Sequence, residues 1–191
     1  MSTEKAIARS VNSIIMNLYS QLDYSSGKAK LSKLRGSMGK SDLVEAYPFL
    51  FEMILEELLG HSATLSDAEK SIVWSLQFYA LLQQGKKNNA HVSDYQNLGK
   101  SLSILRGENS ESVDRRFNAM ILADTEEEFQ MHLRYMLRLY KSKVENATVD
   151  FAKLAMDIYC FVHWENGKEQ IRLTWSREYY KVNHKEEENN D

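Results

Sequence analysis

The feature that most limits the fold of this chain is its near lack of proline. Pro48 is the single proline in 191 residues, and the chain contains only eight glycines. Proline marks turns and strand edges and breaks helices, so few positions here enforce such interruptions. The rest of the sequence is rich in Leu, Glu, Lys, Ala and Met, which favour helices. We therefore predict an all-α fold.

Apolar residues recur at steps of three and four along most of the chain, which predicts about eight or nine helices and no significant sheet. A polar run at 84–89 is the clearest linker. We expect two packed helical sub-bundles, an N-terminal half over 1–88 and a C-terminal half over 89–184. The charged segment 185–191 has a composition typical of a disordered acidic tail.

Several helix boundaries can be read directly from the sequence. Ser66 is a helix cap, and Thr125 with Glu128 forms a capping box, in which a hydroxyl and a carboxylate satisfy free backbone amides. Proline is favoured in the first turn of a helix, and we predict one helix over 48–60. The segment 149–163 is apolar nearly all round, which predicts a central helix.

Composition also limits the class of protein. Hydrophobic residues make up 43% of the chain, as in globular proteins, and the single cysteine, Cys160, allows no internal disulfide. The first residues lack the apolar core of a signal peptide, and no apolar run is long enough to span a membrane. We expect a soluble, cytoplasmic protein without membrane contact.

The sequence gives little support for a catalytic or metal-binding site. None of the five histidines is paired with another at metal-ligand spacing, and His163 near Glu165 fits a helix-end histidine better than a zinc site. Cys160 lies in an apolar helix, where a cysteine is usually a small hydrophobe. The acids at 126–128 are explained by capping, and the glycines at 36–40 lack P-loop spacing. We predict no enzyme activity, metal, cofactor or small-molecule substrate.

Positive charge is concentrated although the net charge is −3. The segment 27–40 has five basic residues and no acid, and Arg134, Arg138 and Lys141 share one helix face. Salt screens charges beyond roughly 8 Å, so a basic stripe can face phosphates while the rest of the surface is acidic. The alternative is a solvated face paired with nearby glutamates. The predicted phosphate contacts are Lys28, Lys30, Lys33, Arg35, Lys100, Arg106, Arg115, Arg116, Arg134, Arg138 and Lys141.

The order and spacing of particular residues resemble those of a known protein family. Its motifs are SVDRRFNAMILAD, EEFQMHLRYMLRLYKSKVENATVDFAKLAMDIYCF and RLTWSREYY in the second half, with GKAKLSKLR and LGKSLSIL before them. The matching residues are Ser112, Arg115, Arg116, Phe117, Leu133, Arg134, Asp150, Leu154, Asp157, Trp164, Trp175, Tyr179 and Tyr180. In these motifs the chain resembles the CasB family, the small subunit of the type I-E Cascade complex in CRISPR systems.

This resemblance implies an all-helical protein with two helical halves and no catalytic activity. Two copies of such a subunit form a head-to-tail dimer that contacts the backbone subunits carrying the guide RNA (crRNA) and the large subunit. The basic surface helps to hold the guide–target duplex and the displaced DNA strand, which stabilises the R-loop. Residues 27–40 would then face phosphates. Because the chain is acidic overall, binding outside the complex is expected to be weak.

Two other functions stay open at this point. A helical adaptor could use the same basic face to bind an acidic protein partner, and its affinity would not show the salt dependence of phosphate contacts. A nuclease would show metal-dependent cleavage.

Overall fold

The computed structural model describes residues 2–39, 47–107 and 110–181. In this part of the chain the all-α prediction is confirmed, and extended pairing is limited to one isolated bridge between His91 and Val149. Lys40 and the predicted tail, 185–191, lie outside the described residues. The α-helices are α1 (Thr3–Ser20), α2 (Ser25–Gly36), α3 (Tyr47–Phe51), α4 (Asp67–Gln83), α5 (Leu98–Ser103), α6 (Glu111–Ile121), α7 (Glu126–Lys143), α8 (Phe151–His163) and α9 (Gly167–Tyr180).

Helix α8 lies at the centre of the molecule. It packs against α1, α4 and α9, and its side chains at Phe151, Leu154 and Ile158 are almost completely buried. A helix that is apolar on most of its circumference avoids water only when other elements cover it on several sides. The apolar pattern at 149–163 therefore correctly predicted that this helix is central. Within the described residues, no helix combines the length and apolarity needed to cross a membrane.

The segment predicted as a linker is a closely held turn. The Gln83 side-chain amide donates to the carbonyls of Lys86 and Asn88, at 3.1 and 3.0 Å, and its oxygen accepts from the Ala90 amide at 2.8 Å. Gly85 has a φ of 80°, a conformation that glycine adopts without steric cost. Buried residues before and after this turn belong to one hydrophobic cluster. The division into halves at 88 stays a prediction.

Both predicted caps are present as complete capping boxes. The Glu69 amide donates to the Ser66 hydroxyl at 3.2 Å, and the Glu128 amide donates to the Thr125 hydroxyl at 3.1 Å. Each glutamate side chain accepts in return from the amide of its cap residue. These boxes set the first residues of α4 and α7.

The predicted helix over 48–60 is interrupted. Helix α3 ends at Phe51, and a separate 3₁₀ turn covers Glu56–Leu58. The Leu55 amide donates to the Ser10 hydroxyl of α1 at 3.4 Å, and the Gly60 amide donates to a Glu69 carboxylate oxygen at 2.9 Å. Tertiary hydrogen bonds thus replace part of the helical ladder that the apolar spacing alone predicted.

Candidate nucleic-acid interface

Helices α6 and α7 pack against each other and leave a basic groove between them, here called the α6/α7 groove. It has a volume of about 590 Å³. None of the side chains that line it is an aspartate or glutamate, and three carry guanidinium groups. Its lining consists of Arg115, Arg116, Ala119, His132, Tyr135, Arg138, Leu139 and Ser142.

The helical period explains why these side chains face the groove. In α6 the apolar residues Phe117 and Met120 are fully buried, so the neighbouring Arg115 and Arg116 are exposed. Helix α7 buries another apolar stripe and presents Tyr135 and Arg138 to solvent, with 52% of Tyr135 accessible. The arginines of α6 and α7 are therefore brought together by packing, although more than twenty residues of sequence separate them.

The α6/α7 groove continues into two neighbouring depressions. One, of about 1000 Å³, shares Tyr135 and Arg138 with it and adds Arg134, Trp74 and Lys70. The other, of about 750 Å³, shares Arg116 and Leu139. Both contain acids, and the Lys70 ammonium pairs with one of them, Glu126, at 2.9 Å. The acid-free α6/α7 groove therefore lies in the middle of a longer surface path.

Arg134 lies next to the end of the basic N-terminal segment. Its side chain is half-buried, and its Nε has no hydrogen-bond partner among the described residues. Its Nη1 atom lies 4.0 Å from the position that a Cβ atom would occupy if residue 39 were not glycine. The end of the segment 27–39 and the middle of α7 are thus neighbours in the fold.

Arg134, Arg138 and Lys141 were predicted to form one stripe, but they do not all line the same groove. The Lys141 ammonium donates to the Leu81 carbonyl at 2.9 Å, and the Arg35 guanidinium donates to the Ala80 carbonyl at 3.4 Å. Burial lowers the pKa of both side chains. Arg35 lines a separate groove of about 770 Å³ together with Lys28. The eleven predicted contacts are therefore divided between at least two surfaces.

The other predicted contacts have different surroundings. The Lys30 ammonium donates to the Gln21 amide oxygen at 3.2 Å and lies 5.9 Å from the centre of the Phe49 ring. Lys33 is exposed on α2, and Lys100 is half-buried on α5. These positions lie outside the lining of the α6/α7 groove.

Arg106 is held inside a structural network. Its Nε pairs with Asp114 at 3.1 Å, and the guanidinium lies over the rings of Tyr179 and Tyr180, 5.5 and 4.8 Å from their centres. Burial raises the pKa of Asp114, but hydrogen bonds from Tyr179, Ser110 and Arg106 outweigh it, so this pKa lies below its usual value. Within the described residues, Arg106 is the one predicted contact that forms an ion pair with a carboxylate.

Lys86, Lys87, His132 and Tyr135 line the two grooves and were not among the contacts predicted from the sequence. Lys86 and Lys87 lie in the predicted linker, and they line the groove of Arg35. His132 and Tyr135 belong to α7, for which the sequence pattern predicted mainly the buried apolar residues. The available signal for Tyr135 was its position three residues before Arg138, on the solvent side of α7.

His163 was considered as a metal ligand and Cys160 as a nucleophile, and both lie on α8. The His163 ring hydrogen-bonds an Asp67 carboxylate oxygen at 3.0 Å. Burial raises the pKa of the Cys160 thiol, which lowers the fraction of reactive thiolate. In the described part of the chain, no group of three or more histidines, cysteines or acids is arranged to hold a metal ion.

Comparison with known proteins supplies the family. The model of the family described as CRISPR-associated protein Cse2 matches residues 29–180. No curated protein matches the chain significantly. The crystal structure of CasB from Thermobifida fusca has the same fold, with a TM-score of 0.72 over 94% of this chain and 98% of that chain, at 23% identity. The chain thus belongs to the Cse2/CasB family, the small-subunit family of the CRISPR Cascade complex.

Proposed function

We propose that this protein is a non-catalytic small subunit of a cytoplasmic type I-E Cascade complex, and that its α6/α7 groove holds a sugar-phosphate backbone of crRNA or target DNA. Family membership supports the place in Cascade. The observation that carries the proposed binding is the convergence of Arg115, Arg116 and Arg138 in a groove without an acidic side chain.

The local charge of the groove outweighs the net charge of the chain. Exposed charges farther away than roughly 8 Å are largely screened at physiological salt, so distant glutamates contribute little. Guanidinium groups bind phosphate oxygens in pairs and remain charged at any relevant pH. The three arginines can therefore neutralise phosphates although the net charge of the protein is −3.

Backbone contacts of this kind suit R-loop formation. Replacing a DNA duplex with an RNA–DNA duplex is nearly balanced in free energy, so sequence-independent protein contacts can decide the outcome. Contacts to phosphates position a strand without reading its bases. The proposed role is to favour the opened state of any matched target. The proposed protein partners are the backbone and large subunits of Cascade and a second copy of this chain.

The test is charge reversal in the assembled complex. We expect the triple variant R115E/R116E/R138E to fold normally, since all three side chains are exposed. Its target affinity should fall, and the slope of log affinity against log salt on single strands should become shallower by about 2 if three phosphate contacts are lost. The control is K5E/R9E/R177E, which removes the same charge at exposed positions outside the groove.

Equal losses in both triple variants would contradict a specific role for the groove. An unchanged salt slope, with weaker binding to a Cascade subunit, would favour the adaptor function instead. Metal-dependent cleavage of DNA or RNA by the purified protein would overturn the non-catalytic assignment.

A further inference from the structure

The acidic segment 185–191 follows a helix that ends beside the α6/α7 groove. The segment contains four acids, three of them consecutive at 186–188, and one lysine. Tyr180 is the last residue of α9, and its hydroxyl donates to the Asn118 side-chain oxygen of α6 at 2.8 Å. Its ring also packs edge-on against that of Phe117, with ring centres 5.9 Å apart. The chain therefore leaves α9 at the surface of α6.

This point lies within reach of the groove. Asn118 follows Arg115 by three residues on α6, a spacing at which Cβ atoms are roughly 5–6 Å apart. Arg115 lines the α6/α7 groove. An extended chain advances about 3.3–3.6 Å per residue, so the six residues that lead from the end of α9 to position 186 span up to about 20 Å. A helix is only about 10 Å wide, so the first glutamate can reach across α6 into the groove.

The charges of the groove and of the segment are complementary. Among the described residues, none of the three groove arginines forms an ion pair with a carboxylate. Two other cations near the end of α9 are already paired, Arg106 with Asp114 at 3.1 Å and Lys181 with Glu178 at 3.7 Å. A guanidinium fork binds the two oxygens of a carboxylate as well as those of a phosphate.

We propose that the acidic segment 185–191 docks in the α6/α7 groove of its own chain and competes there with a nucleic-acid backbone. A short tether gives the acids a local concentration on the order of millimolar at the groove. Each exposed ion pair is weak and is screened by salt, so a long strand in the assembled complex can displace the segment. The docking stands on the geometry of α6 and α9, whereas the competition rests on the proposed function.

Paramagnetic relaxation in the isolated protein tests the docking. A nitroxide is attached at position 189 of the variant N189C/C160S, in which it is bound to the single thiol, and backbone amides are followed by NMR. Amides of α6 and α7 beside the groove arginines should broaden. The broadening should disappear in R115E/R116E/R138E and persist in K5E/R9E/R177E, which changes the same charge outside the groove.

The affinity for oligothymidylate, measured by fluorescence anisotropy, tests the competition. The variant E186Q/E187Q/E188Q removes three negative charges from the segment and should bind about three- to tenfold more tightly than the wild type. The control E52Q/E56Q/E57Q removes three exposed glutamates that line none of the grooves described above, and its affinity should stay within about twofold of the wild type.

Absence of broadening at the groove, or equal broadening in both charge-reversal variants, would overturn the docking. Broadening of a ¹⁵N-labelled chain by a spin-labelled second copy would assign the contact to two chains and overturn docking within one. Equal gains in the two glutamine variants would overturn the competition. If no variant bound oligothymidylate, the proposed function would be contradicted, and the nitroxide measurement would still decide the docking.

Discussion

At the scale of single residues, His91 joins three segments of the fold. Its Nδ1 accepts a hydrogen bond from the Phe151 amide at 3.2 Å, where α8 begins, and its Nε2 lies 2.8 Å from the Asn12 side-chain oxygen on α1. An imidazole that accepts at Nδ1 and donates at Nε2 is neutral. Burial lowers the pKa of His91 and outweighs the opposite effect of Asp150 and Asp94.

We expect this histidine to make stability depend on pH. Because its folded pKa lies below its usual value of about 6.5, the unfolded chain binds the proton more readily. The stabilisation is therefore complete above about pH 6.5 and declines as the pH falls through that value toward the lower folded pKa. Urea unfolding at pH 7.5, 6.5 and 5.5 measures this decline.

The H91Q variant supplies the comparison, since glutamine does not titrate. Whatever its stability at pH 7.5, its decline between pH 7.5 and 5.5 should be smaller than that of the wild type. Parallel curves for the two proteins would show that His91 does not cause the pH dependence.

Tyr135 is exposed between the arginines of the α6/α7 groove, where a base can stack on its ring. Stacking of a base on an aromatic side chain contributes about 1–3 kcal/mol, and the bases of a duplex are not free to stack in this way. We expect Y135A to weaken single-strand binding by about this amount, and to weaken duplex binding much less. Fluorescence anisotropy with both forms of one DNA sequence measures the difference.

Y135F should bind like the wild type because it keeps the ring. Tyr24, which is 67% exposed and lies outside the groove, gives the matched control Y24A. Equal weakening of single-strand and duplex binding in Y135A would argue against stacking and for a general effect on the groove.

The sequence predicted part of the candidate site, for physical reasons. Cations are recognisable one by one, so Arg115, Arg116 and Arg138 could be named before the fold was known. Their grouping depends on the packing of α6 against α7, which no local spacing encodes. The same limit explains Arg106: Asp114 is eight residues away, and the rings that cover the guanidinium belong to α9.

At the scale of helices, boundaries set by local chemistry were predictable and those set by tertiary contacts were not. The capping boxes at Ser66 and Thr125 need only residues three positions apart, and both are present. After the end of α3 at Phe51, the Leu55 amide donates to Ser10, which is 45 residues earlier in the chain. Apolar spacing alone did not distinguish a continuous helix from two short turns with the same buried side.

Helices α5 and α9 approach each other closely at Gly99. A Cβ at this position would lie 2.1 Å from the carbonyl oxygen of Trp175, and this backbone atom cannot move aside independently. We expect G99A to destabilise the protein by about 1–3 kcal/mol, the usual cost of overpacking. Thermal unfolding followed by circular dichroism measures the change.

Gly36 gives the matched control for the Gly99 substitution. It also lies in a helix, but a Cβ there would meet no atom within 4 Å. Because alanine favours helices, G36A should raise the stability by about 0.5–1 kcal/mol. A similar effect of both substitutions would show that the close approach of α5 and α9 is not important for stability.

At the scale of the whole molecule, charge and packing are organised differently. The cations form separate surfaces, the α6/α7 groove and a second groove lined by Lys28, Arg35, Lys86 and Lys87. The apolar residues form one cluster that includes members from both sides of the turn at 84–89. Distinct binding surfaces are thus built on a shared core, and α8 supplies much of that core through its contacts with α1, α4 and α9.

This shared core predicts that the two halves unfold together. Separation of 1–88 from 89–184 would expose the sides of α8 that α1 and α4 cover, at a cost of roughly 25 cal/mol for each Å² of apolar surface. Hydrogen exchange by mass spectrometry across a urea series should give one midpoint for peptides from α1, α4, α8 and α9.

The fully buried Ile158 tests the coupling: I158A should destabilise α1 and α4 peptides as much as α8 peptides, by about 2–5 kcal/mol. Leu173 is 50% exposed, so L173A should change the midpoints little. Two separate midpoints, or an I158A effect restricted to the second half, would establish independent halves, because elements that share a cooperative core cannot open one at a time without losing its burial.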